Sequence, residues 1–134
     1  WEMAAFGGFL TGREAAKYMK KRNQGSIFFT GATASMRGGS GFAAFSSAKF
    51  ALRAVSQSMA RELGPQGIHV AHFIIDGAID TAFIKENFPD TYALKEKDGI
   101  LQPDAIADAY WFAHTQHKSA WTHELDLRPY MEKF

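Results

Sequence analysis

Two short apolar runs limit what this chain can become. Ser26–Thr30 reads SIFFT, and Ile68–Ile75 reads IHVAHFII. Both have the length and the branched and aromatic content of strands. SIFFT carries no polar alternation, the pattern of a strand covered on both faces in a parallel sheet. Helical segments flank the two runs. Residues 8–23 are rich in strong helix formers, with Leu10, Ala15, Tyr18 and Met19 as apolar contacts. Lys20, Lys21 and Arg22 sit where they complement a helix dipole, and Gly25 supplies a stop. Residues 42–63 form the longest expected helix, with Phe45, Ala48, Leu52, Val55, Met59 and Leu63 at helical spacing. Pro103 and Asp104 open a further helix to Thr115, and Glu124–Pro129 reads as a last short strand.

The order is therefore helix, strand, helix, strand, helix, strand. That alternation argues for an α/β fold with a parallel sheet and helices on both faces. In such sheets ligands bind beyond the carboxyl ends of the strands. Two loops lie there. One is the glycine-rich GATASMRGGSG, Gly31–Gly41, and the other is DGAIDT, Asp76–Thr81. The mixed segment 82–101 reads as a short helix and a mobile cover, with Phe83, Phe88 and Tyr92 as an apolar lining.

Composition removes several classes of function. The 134 residues suffice for one domain of ordinary size, and the net charge of +1 supplies no basic field for nucleic acid. There is no cysteine, which excludes disulfides and thiolate chemistry. No apolar run approaches the roughly 20 residues that span a bilayer. A cytoplasmic protein is the expectation. The first residue is Trp1, so the chain is expected to be cleaved or to belong to a longer one. His114, His117 and His123 do not complete a metal motif and read as surface or helix-end histidines.

Together these segments resemble the carboxyl-terminal half of the short-chain dehydrogenase/reductase family. GSIFFTGATASMRGG resembles the family's fifth strand and serine loop. FSSAKFALRAVSQSMARELGPQGIHV resembles the helix of the Tyr-x-x-x-Lys motif running into the sixth strand. DGAIDT resembles the turn beside the nicotinamide, and PDAIADAYWFA the helix before the last strand. The resemblance implies a Rossmann-type doubly wound parallel sheet of which residues 1–134 supply the second half. It implies NAD or NADP as cofactor, held in large part by the family's amino-terminal half. It also implies a small-molecule carbonyl or alcohol substrate, with no nucleic-acid or membrane partner. Family members pair helices like 8–23 and 42–63 between subunits, so a homodimer or homotetramer is expected. The small residues Ser47, Ala51, Ala54 and Ser58 suit that close approach.

The catalytic positions of the family are altered. The tyrosine position is Phe45, the serine position thirteen residues earlier is Ala32, and the asparagine position is Ala4. Lys49 alone is kept. Three functional readings stand: an oxidoreductase with a rearranged acid, a fold that binds cofactor or partner without turnover, and a folding or assembly piece. Thr33, Ser35 or Lys49 could supply the missing proton, although loop hydroxyls more often satisfy nearby backbone groups. The resemblance gives Lys49 a contact with the cofactor ribose, and Ile79 and Thr81 contacts with the nicotinamide. Asp76 and Gly77 either touch the carboxamide or shape the turn, and the turn is the stronger reading.

Overall fold

The computed structural model describes residues 1–133. Three strands, β1 (Gly25–Thr30), β2 (Ile68–Ile75) and β3 (Glu124–Leu127), form a parallel sheet in the order β1-β2-β3. β1 pairs with β2 from Gly25 opposite Ile68 to Thr30 opposite Phe73. β2 pairs with β3 from His72 opposite Glu124 to Ile75 opposite Leu127. A helix follows each of the first two strands, as parallel pairing requires. These are α2 (Ala43–Leu63) and α5 (Pro103–Thr115). A helix α1 (Gly7–Lys20) precedes β1, and Glu2–Phe6 forms a wider turn of π-helix ahead of it.

The two faces of the sheet are covered by different helices. On one face Ile27, Phe29, Ile68 and Val70 pack with Ala16 of α1 and with Leu52 and Leu63 of α2. On the other, Ala71, Phe73 and Ile75 pack with Ala113 of α5, flanked by Phe28, Ile106 and Tyr110. All eight residues of β2 are buried. This is the three-layer arrangement expected for strands that lack polar alternation. No helix among the described residues is long and apolar enough to cross a membrane.

Two expectations are corrected here. The first helix ends at Lys20, not near residue 23, because Asn23 takes the left-handed conformation at φ 51° and turns the chain toward β1. Residues 82–101 hold more helix than expected: α3 (Ala82–Asn87), α4 (Pro89–Tyr92) and a 3-10 turn at Ala93–Lys97. Phe83 and Phe88 meet as a tilted ring pair with centroids 6.0 Å apart and are 63% and 50% exposed.

Phe73 is fully buried and stacks on Tyr110 with centroids 3.8 Å apart. Phe73→Ala is expected to cost about 3–5 kcal/mol, the range for emptying a packed aromatic site. Urea unfolding of the variant beside the parent measures it; a loss under about 1 kcal/mol would show that this core repacks freely.

Candidate functional site

The carboxyl ends of β1 and β2 open onto a cavity of about 490 Å³. Its walls come from the glycine-rich loop, the first turns of α2 and the turn after β2. Ala32, Ala34, Phe42, Phe45 and Ile75 supply an apolar lining. Thr33, Ser46 and Arg37 supply the polar part, and Gly77 closes one side. Two glycines set this shape. A Cβ on Gly31 would lie 2.1 Å from His72 Nε2, so only glycine lets the loop leave β1 across that buried ring. Gly77 has φ 148° and packs against Pro129, where a Cβ would come within 2.8 Å.

The structure brings Ala32, Thr33, Phe45 and Gly77 to one cavity. Phe45 is a wall of it, 45% exposed. Lys49 stands one helical turn further along α2, with its Nζ 5.7 Å from the Phe45 ring centroid. That ammonium donates to the Thr30 carbonyl at 2.9 Å, and burial pushes its pKa down. Asp76 is 3% exposed just behind the cavity. The Thr33 hydroxyl donates to Asp76 Oδ1, and Arg128 lies 3.2 Å from Oδ2.

Other expected site residues fall elsewhere. Ser35 is fully buried, and its Oγ accepts from the Ala32 N–H at 2.9 Å. It holds the loop rather than facing the cavity. Ile79 forms a parallel bridge with Leu101. Thr81 caps α3 by accepting from the Ile84 N–H at 3.3 Å. Ala4 sits in the Glu2–Phe6 turn, which packs against α2. The histidines read as surface groups also have distinct places. His114 Nδ1 is 3.0 Å from Ser26 Oγ, His117 caps a short turn, and His123 is 3.3 Å from the Val70 carbonyl.

Sequence reasoning missed three features. Arg37 and Ser46 enter the cavity, and Ser46 Oγ is buried without a hydrogen-bond partner. Beneath the loop, Arg53 of α2 grips Glu124 of β3 with Nε at 2.8 Å and a second nitrogen at 2.7 Å. Glu124 also meets Nδ1 of fully buried His72 at 3.0 Å. Burial pushes the Glu124 carboxyl up, but the hydrogen bonds from Arg53 and His72 outweigh it and hold the pKa below its usual range. No local pattern could have found this network, because Arg53 and Glu124 are 71 residues apart.

A cofactor can be tested against these residues. Apolar walls at the carboxyl ends of two parallel strands suit a nicotinamide ring. The Lys49 ammonium, 5.7 Å from the Phe45 ring centroid, has a charge that suits ribose hydroxyls. The site therefore fits the nicotinamide end of a dinucleotide.

Burial lowers the pKa of both His69 and His72. The fold thus favours their neutral forms more than the unfolded chain does, which takes up protons below about pH 6.5. Their contribution to stability is full above that pH and lost as pH falls. Unfolding free energies from urea titrations are expected to fall as the pH drops below about 6.5, by up to roughly 1.4 kcal/mol per pH unit for each histidine. Stability that stays flat across this window would contradict it.

Comparison with known proteins places this architecture. Residues 2–91 match the family described as short chain dehydrogenase. The (21S)-21-acetoxyl-apo-melianone synthase SDR of Melia azedarach is 32% identical over 111 residues, covering 77% of this chain and 40% of that protein. A short-chain dehydrogenase from Rhodopseudomonas palustris is 54% identical, with TM-score 0.74, covering 97% of this chain and 50% of that one. A serine dehydrogenase complexed with NADP+ shares the fold at 20% identity and TM-score 0.69, covering 87% of this chain and 48% of that one. The chain spans about half the length of these relatives.

Proposed function

Because the chain belongs to the short-chain dehydrogenase/reductase family, we propose that residues 1–134 form the carboxyl-terminal half of an NAD(P)-dependent oxidoreductase domain with an altered acid–base set. Its substrate is a small carbonyl compound or the corresponding alcohol. When bound, the nicotinamide supplies or accepts the hydride. The chain's own residues bind and orient. Phe45, Phe42 and Ile75 give the cavity an apolar wall, and Lys49 holds its charge 5.7 Å from the Phe45 ring centroid.

One observation carries the altered acid: no side-chain hydroxyl stands at Ala32 or Phe45. The replacement donors are already engaged. The Thr33 proton is given to Asp76, so Thr33 offers lone pairs, not a proton, toward the cavity. Lys49 gives a hydrogen to the Thr30 carbonyl. A positioned general acid contributes about 10²–10⁴-fold in rate. Slow turnover follows from its loss, and binding without turnover is the second reading that the same engaged donors favour.

The proposal extends to assembly. Ser47, Ala54 and Ser58 on α2 are exposed, and Ala51 is half-buried. A second copy's α2 could approach closely there, which supports a homodimer or homotetramer through α1 and α2.

Restoring both hydroxyls tests the chemistry. The full-length protein with Phe45→Tyr and Ala32→Ser is expected to oxidise NADH or NADPH on a carbonyl panel about 10²–10⁴ times faster than the parent. Equal rates would mean that the lost hydroxyls do not limit the reaction. For assembly, Ala54→Arg is expected to shift the light-scattering mass toward the monomer; an unchanged mass would place the interface elsewhere.

A further inference from the structure

Arg37 is the one charged residue among the described residues that line the cavity. Everything else at its surface is apolar or neutral. A cation half-exposed at the edge of an apolar pocket is solvated by water, paired with a carboxylate of the protein, or open to a ligand. Asp76 forms a long ion pair with Arg37, and that carboxylate is shared with Arg128 and the Thr33 hydroxyl. The Asp76 side chain is 5% exposed, accepts the Thr33 hydroxyl, and has Arg128 at 3.2 Å. Arg37 stands 4.0 Å from Asp76, beyond hydrogen-bond reach. Its other contact among the described residues is a long bond to the Lys133 carbonyl at 3.5 Å. Most of the guanidinium fork is therefore unspent, with the side chain 47% exposed at the cavity.

Arginine presents a planar pair of donors that matches a carboxylate. We propose that Arg37 binds the carboxylate of a small substrate with an apolar body, so that the substrate class is an aromatic or branched-chain oxo- or hydroxy-carboxylate. The inference rests on the oxidoreductase reading for what happens to that substrate, but the binding itself does not. The apolar body lies against Phe42, Phe45 and Ile75. Ser46 gives the class a second determinant. Its hydroxyl is buried, unpartnered and part of the cavity wall. An unpaired buried hydroxyl is costly, and a ligand oxygen relieves that cost.

Phenylpyruvate and phenylacetone test this, because they share the aromatic ketone and differ in the carboxylate. Each is titrated calorimetrically into the full-length protein and its Arg37→Gln variant, with and without NADP+. Phenylpyruvate is expected to bind at least about tenfold tighter to the parent, as a charge-assisted pair provides. In Arg37→Gln the two affinities converge, and Arg37→Lys recovers part of the difference. Equal affinities in the parent, no binding of either probe, or a preference that survives Arg37→Gln overturns the proposal. NADH and NADPH consumption is followed in parallel. A tenfold, Arg37-dependent preference without any carbonyl turnover would support the carboxylate site while sinking the oxidoreductase reading.

Discussion

The burial of β2 along its whole length is the constraint on which the rest of the structure depends. Eight buried residues in a row need cover on two faces and a neighbour on each edge. Their backbone groups pair with β1 on one side and β3 on the other. Their side chains divide between α1 and α2 on one face and α5 on the other. Once β2 is central, its carboxyl end must open between the loop after β1 and the turn after itself. The cavity is that gap.

The polar groups near the cavity are organised by the same burial. His72 lies on the α2 face of β2, and a buried ring with a nitrogen facing Glu124 demands a partner. Glu124 meets it and is held in turn by both arms of Arg53. This network ties α2 to β3 below the glycine-rich loop. Asp76, at the end of β2, is treated likewise: Thr33 and Arg128 satisfy it. The consequence is chemical. Of the groups that a sequence reading offers as proton donors, Thr33 donates to a carboxylate, Lys49 donates to a backbone carbonyl, and the Ser35 oxygen accepts from a backbone N–H. The cavity is left with apolar walls, one orphaned hydroxyl and one under-used guanidinium.

That balance describes a site better equipped to hold a substrate than to protonate one. Lys49 keeps its place beside the Phe45 ring, but the ring offers it no oxygen to polarise. Binding energy and positioning remain available for hydride transfer, and these contribute without any acid.

Much of this architecture was legible in the residues. The run IHVAHFII has the bounds of β2, and PDAIADAYWFAHT those of α5, because burial on both faces and a proline start leave few alternatives. The loss of hydroxyls at positions 32 and 45 was equally plain, since it is a matter of residue identity. Tertiary structure alone decided where the remaining polar groups point. Thr33 and Ser35 are two residues apart on one loop, yet one reaches Asp76 beside the cavity and the other turns inward to the Ala32 N–H. Arg53 finds Glu124 at 2.7 Å and Arg37 meets Asp76 only at 4.0 Å, although all are ordinary charged residues in the sequence. Local patterns record which face a residue occupies. Partner choice depends on distances between segments far apart in the chain, and those are set only when the sheet closes around β2.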